Sequence, residues 1–272
     1  MAAMSSNIVR HEFKTHRRSL AIWSLSAAVV ILFYMSVFPS FVQDAALLDK
    51  TMESFPPELL TAFGLNGVDL ATVMGFFTFV YLFVQILLAI QAANYGFGLV
   101  SVEERERTAD FLLTRPVSRR AILTGKLLAA LGSLAATQAV VWAASFLCIN
   151  IFRGEHPYDA DLLIRMLLGL PLFQMVFFAV GLVVSLLVRR IRSVTPYSLG
   201  LVFGLYVLAA FGDMLGESGI EALSPFKHFN PNYLVRHGHF ETPLLWLSVA
   251  VVPIAIAASY RLYIRRDIPS VA

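Results

Sequence analysis

The densest run of ionisable side chains is Glu103, Glu104, Arg105, Glu106, Arg107 and Asp110, followed directly by Phe111, Leu112 and Leu113. Glu103 lies four residues before Arg107, and Arg107 three before Asp110, spacings at which opposite charges pair along a helix. Val102 and the Phe-Leu-Leu run give such a helix an apolar side, and Pro116 ends it. Ser118 then stands where an N-cap would open the next helix. Charges laced to one another beside an apolar face make a docking surface rather than a catalytic centre. A second cluster lies at 5–17, where Val9 and Phe13 fall one helical turn apart. Arg10, Lys14 and Arg17 form a neighbouring stripe, extended by Arg18. This pattern predicts an interfacial amphipathic helix whose cations approach anionic headgroups.

Three amides, Gln85, Gln138 and Gln174, lie near the middle of long apolar runs. In hydrocarbon an amide must find a partner, so each either ties helices together or lines a translocation path. Gln91 and Asn94 carry the same two readings. His228, His237 and His239 share one segment, and imidazole can ligate copper or zinc, but no Cys or Met accompanies them at close spacing. Cys148 is the single cysteine and reads as a small apolar filler.

Other chemistry is missing from the sequence. Gly125-Lys126 is followed by Leu127, so it does not complete a phosphate-binding loop, and neither H-E-x-x-H nor C-x-x-C occurs. No G-x-S-x-G marks a hydrolase nucleophile. The centres of the apolar runs hold no ionisable residue of the kind a proton-coupled carrier needs. We therefore expect no catalytic, cofactor-binding or metal-binding residue in this chain, and an energy source outside it.

These residues must be positioned by elements of an unusual composition. Of 272 residues, 58% are apolar and only 14% are charged, where a soluble domain carries roughly 25% charge. The mean hydropathy is +0.72. An ordinary soluble enzyme, a disordered chain and a disulfide scaffold are excluded. Six stretches, 19–43, 70–102, 127–152, 166–188, 193–212 and 242–260, contain no Asp, Glu, Lys or Arg and together hold 146 residues. Each can cross a hydrocarbon core of roughly 30 Å only as a helix, because its backbone must satisfy itself. Runs such as 76–90 do not alternate in polarity, as barrel strands would. The fold class is therefore all-α integral membrane, with spans at about 19–38, 71–93, 127–151, 166–188, 194–212 and 243–260. The first of them is too long for a cleavable signal.

Successive connections place 16 basic residues on one side and 5 on the other, while the acids divide 6 and 12 in the opposite sense. Basic residues stay cytoplasmic, so both termini are expected inside. This asymmetry accounts for the net charge of +3, and no nucleic-acid partner is needed to explain it. No connection is long enough for a separate globular domain, which leaves one transmembrane domain over 1–272. The 70–102 run exceeds what a bilayer requires, so 94–102 is expected to continue into the cytoplasm with a bend at Gly96 and Gly98. Arg165 reads as a snorkelling anchor, Trp23, Trp246 and Tyr260 as interfacial anchors, and Trp142 as packing.

The pairing of "RHEFKTHRRSLAIW" before the first span with "EERERTADFLLTRPVSRRAILTGK" after the second resembles the ABC-2 type permeases, the membrane subunits of ATP-binding-cassette exporters. The six-span plan agrees over the whole chain, and the motifs cover about 45 residues. The resemblance implies that Arg10, Phe13, Lys14, Arg17 and Arg18 belong to an elbow helix. It implies a coupling helix whose Glu103, Glu104, Arg105, Glu106, Arg107, Thr108 and Phe111 face an ATPase. It further implies two copies of a separate ABC ATPase subunit holding ATP and Mg, a second permease copy or a homologous permease, contact with membrane lipid, and a prokaryotic plasma membrane. Residues 213–241 would dip between the last two spans as short helices. A small exterior favours export of a small or amphipathic substrate over a polymer. The alternatives are a stand-alone channel or secondary carrier, and a membrane enzyme or scaffold.

Overall fold

The computed structural model describes residues 2–43, 54–56, 59–60, 65, 67–106, 118–188, 191–215 and 219–265, and all regular structure among them is helical. Six helices are long and apolar enough to span a bilayer: α1 (Ala2–Gln43), α2 (Val73–Glu106), α3 (Arg119–Phe152), α4 (Ala160–Leu187), α5 (Val194–Leu215) and α8 (Thr242–Arg265). A 3-10 turn (Ile220–Leu223) and two short helices, α6 (Pro225–His228) and α7 (Pro231–His237), lie between α5 and α8. The end of the bundle that holds the start of α1 and the junction of α2 with α3 is here called the basic end.

Two expectations about breaks are corrected. The segment with Arg10, Phe13, Lys14, Arg17 and Arg18 is no separate elbow but the first turns of α1, which runs unbroken for 42 residues. No Gly or Pro occurs before Pro39 to interrupt it. At about 63 Å it is roughly twice the hydrocarbon thickness. Nor is there a bend at Gly96 and Gly98, for α2 passes through both to Glu106. The glycine at 96 serves close approach instead: a Cβ there would stand 2.2 Å from the Phe178 carbonyl oxygen. Across the seam, a Cβ on Gly181 would meet the Ala93 oxygen at 3.2 Å. Backbone contact of this kind is how membrane helices gain dispersion energy without a hydrophobic drive between them.

The helix starts follow local chemistry. Ser118 caps α3 as expected, its Oγ accepting from the Ala121 N–H at 3.3 Å. Asp159 does the same for α4 through Leu162 at 3.0 Å. Within the bundle α1 packs along α3 and α2 along α4, with α8 against α4 and α5 against α2. The most apolar windows of α2 and α4 are 67% and 61% buried, whereas α5 and α8 reach only 17%. The α2–α4 pair is therefore the centre, and α5 and α8 turn most of their surface outward.

The segment between α5 and α8 dips into the bundle from the end opposite the basic one. Ser224 Oγ donates to the Leu205 carbonyl at 2.7 Å, a residue about 15 Å below the end of α5 by helical rise. The Phe226 ring is buried edge-on against Phe173, Phe177 and Tyr206. Backbone at that depth needs internal partners, and the sequence supplies them. Pro225 and Pro231 occupy first turns where an N–H would be orphaned. Ser224 Oγ caps Phe226, and Asn230 Oδ1 accepts from the N–H groups of Asn232 and Tyr233. Gly238, at φ 75°, closes α7 in the left-handed conformation.

Candidate functional site

Between two apolar clusters, one toward the basic end around Ala93, Leu123 and Phe178 and one toward the opposite end around Tyr81, Val141 and Leu167, lies a thin polar layer. Gln138 of α3 donates from Nε2 to Gln174 Oε1 of α4 at 2.7 Å. Gln174 Nε2 in turn donates to Gln91 Oε1 at 3.2 Å and to the Leu88 carbonyl at 3.4 Å. Gln91 Nε2 donates to Thr137 Oγ1 at 2.8 Å, which also accepts from Ser24 of α1 at 3.2 Å. Thr137 gives its own proton to the Ser133 carbonyl at 3.3 Å. Five side chains thus join four spanning helices. An acceptor at its edge is left over: Gln138 Oε1 is buried and has no hydrogen-bond partner.

Gln138 and Gln174 also form the polar part of the wall of a cavity of about 540 Å³ between α3 and α4. Leu131, Leu134, Ala135, Ala139 and Trp142 line it from α3, and Pro171 and Met175 from α4. Ala135, Ala139 and Pro171 are exposed, so the cavity opens sideways on the surface of the bundle. Of the three mid-depth amides read from the sequence, the structure brings Gln138 and Gln174 together and sets Gln85 apart. Gln85 Nε2 donates to the Phe229 carbonyl at 3.0 Å, tying α2 to the dipping segment.

The docking residues are placed less fully. Glu103, Glu104, Arg105 and Glu106 fall in the last turns of α2. Their side chains, and Arg107, Thr108 and Phe111 entirely, lie outside the described residues, as do the side chains of Arg10 and Lys14. Arg17 and Arg18 are exposed. Phe13 lies against α3, 3.8 Å from where a Cβ on Gly132 would stand, and His16 meets the Tyr95 ring of α2 at 4.9 Å. Part of the face expected to meet lipid is therefore covered by protein.

Lys126, read from the sequence only as the lysine of an incomplete phosphate-binding loop, is 4% exposed, and its Nζ donates to the Leu99 carbonyl at 2.9 Å. It ties the start of α3 to α2 beside the acidic run. A cation just before a long apolar stretch was the available signal. Arg165, the expected snorkelling anchor, donates to the Gly238 carbonyl at 2.6 Å and clamps the dipping segment. Of the three histidines, His237 and His239 stay together, their ring centroids 6.3 Å apart beside Tyr233, and His228 lies elsewhere. His228 is buried between Ser248 Oγ and the Ala222 carbonyl, while His237 stacks on Tyr233. No group of three metal-ligating side chains occurs among the described residues.

Six apolar helices, with mid-depth polar groups paired across four of them, define a multi-pass helical membrane protein. The architecture does not by itself say what drives it. The family model for the ABC-2 family transporter protein matches residues 6–268. The chain belongs to this family, and so is a membrane permease component of an ABC transporter, a class that normally works with an ABC ATPase subunit. No curated protein matches it.

Proposed function

We propose that the chain is the permease subunit of an ATP-driven exporter of small or amphipathic substrates in a prokaryotic plasma membrane, with ATP and Mg bound in two copies of a separate ATPase. The observation that carries this reading is the family match over nearly the whole chain. It is supported by the length of α2, about 51 Å against a core of roughly 30 Å, which carries the acidic run beyond the bilayer. In this reading Glu103, Glu104, Arg105, Glu106, Arg107, Thr108 and Phe111 seat in the ATPase, and closure of the ATPase pair around ATP pulls on α2 and the inner turns of α1. Arg10, Phe13, Lys14, Arg17 and Arg18 transmit that pull to lipid and to α3. The Gln138–Gln174 pair belongs to the translocation path, and Gln85 acts on it by holding the dipping segment. This chain contributes no hydrolytic chemistry.

A second permease copy fits the outward face of α5. Gly200 and Gly204 have open space before them, and Tyr197, Phe203, Val207 and Phe211 are exposed around them. Glycines four apart let two membrane helices approach closely. The test of coupling is Glu104→Lys combined with Arg107→Glu. Expression should persist while transport and permease-stimulated ATP hydrolysis fall at least about tenfold, the scale of a lost charge-assisted contact. Unchanged stimulation would contradict the assignment of 103–111 to the ATPase.

A further inference from the structure

Two helices are bonded both to the first turns of α3 and to the dipping segment. On α2, the Leu99 carbonyl accepts from Lys126, and Gln85 donates to the Phe229 carbonyl. On α8, Tyr260 Oη meets Thr124 Oγ1 at 2.7 Å. Thr124 already gives its proton to the Arg120 carbonyl at 2.8 Å, so the phenol is the donor. One turn further on, the Ile264 carbonyl accepts from Arg119 at 3.3 Å. Near the other end of α8, Ser248 Oγ lies 2.6 Å from His228 Nδ1. His228 Nε2 faces the Ala222 carbonyl at 2.7 Å. A carbonyl can only accept, so in the neutral imidazole Nε2 carries the proton and Nδ1 takes that of Ser248.

The two links differ in freedom. The helix α2 is held to α4 by backbone contact at Gly96 and Gly181. Its most apolar window is 67% buried, against 17% for α8. So α8 has room to shift along its length with little repacking, the sliding that packed helices undergo in switching proteins, and α2 does not. The attachment points on α8, Ser248 and Tyr260, are about 18 Å apart by helical rise. Between them the helix continues through Pro253, which leaves the Val249 carbonyl without its helical donor and makes a place to bend rather than a break.

We propose that α8 is a connecting rod between the ATPase side and the dipping segment. Displacement of the start of α3, which follows directly on the segment read as ATPase-facing, passes through Thr124 and Tyr260 to α8. It then passes through Ser248 to His228 and tilts the dipping segment against the fixed α2. Tyr260 and Ser248 are thus positioning residues for transport. The rod deepens the permease reading, on which it rests, by naming how an ATPase at the basic end governs the opposite end of the bundle.

The test uses the permease co-purified with its ATPase from the native membrane and placed in phosphatidylcholine nanodiscs. Hydrogen exchange of the backbone amides in 225–237, which span α6 and α7, is followed by mass spectrometry with and without Mg and the non-hydrolysable nucleotide AMP-PNP. In the wild type, nucleotide should change the exchange rate at least about fivefold, the lower end of usual coupling between two sites. Tyr260→Phe and Ser248→Ala each delete one hydroxyl and should bring that ratio close to unity. Thr124→Ser keeps the acceptor of the phenol and should preserve it, as should Pro253→Ala, which restores the missing helical bond. The ratio separates transmission from support, because a hydroxyl that only stabilises the fold alters exchange equally with and without nucleotide. A wild-type ratio that survives Tyr260→Phe or Ser248→Ala would overturn the rod, and so would a wild-type complex that does not respond to nucleotide. A chain that purifies without an ATPase is a distinct result, which overturns the permease reading and the rod with it.

Discussion

Gln174 reaches three partners on two other helices, through Gln138, Gln91 and Leu88, and none of these bonds competes with water at mid-depth. Interhelical bonds in membranes are worth about 0.6 kcal/mol on average, so Gln174→Leu should cost about 2 kcal/mol of stability. Ser24→Ala removes one bond, to Thr137, and should cost only about 0.6 kcal/mol. Unfolding of the purified protein in mixed micelles with increasing dodecyl sulfate measures both; equal effects would mean that the three bonds of Gln174 do not each add to stability. The need of the amides for partners was legible in the sequence, because hydrocarbon offers none. Which partner each takes was not, since that depends on helix rotation and neighbour order, and so Gln85 separated from the other two. Lys126 was opaque for a related reason. The Leu99 carbonyl that receives its proton lies 27 residues away on another helix.

At the scale of the element, the two glycine environments make opposite predictions. A Cβ on Gly96 would collide with the backbone of α4. Gly96→Ala should therefore cost about 1–3 kcal/mol, the usual penalty of overpacking. Gly204 meets nothing within 4 Å, so Gly204→Ala should leave the single chain as stable or more so, by up to about 1 kcal/mol of helix propensity. Gly204→Leu should instead reduce self-association in a crosslinking titration, as the proposed contact through α5 requires. Melting temperatures of the two alanine variants in detergent decide the first comparison, and the reverse order would refute the packing account. The caps show why some boundaries were readable and others not. Ser118 before α3 was recognised from its residue type and place after Pro116, whereas the expected bend at Gly96 failed because glycine serves close packing as readily as flexibility. The unbroken α1 was visible as thirty-odd residues without Gly or Pro, yet the basic stripe at its start suggested a separate piece.

At the scale of the whole molecule, the charge-free stretches already fixed the number of spanning helices, because a bilayer leaves the backbone no other solution. The dip of 219–241 was expected only through the family resemblance. Its means were nonetheless written in the chain, as Ser224-Pro225 and Asn230-Pro231 open the short helices α6 and α7. The centre of the molecule, the α2–α4 pair, could not be read from hydropathy, which ranks every span as apolar and says nothing about which is enclosed. The ABC-2 family to which the chain belongs normally works with an ABC ATPase subunit. The most direct measurement is therefore to solubilise the tagged chain from its native membrane and identify every stoichiometric partner by mass spectrometry. The account predicts a soluble ATPase with a phosphate-binding loop, lost when residues 103–111 are scrambled while the chain itself is still recovered. A chain that purifies alone, or an ATPase that stays bound after the scramble, would contradict it.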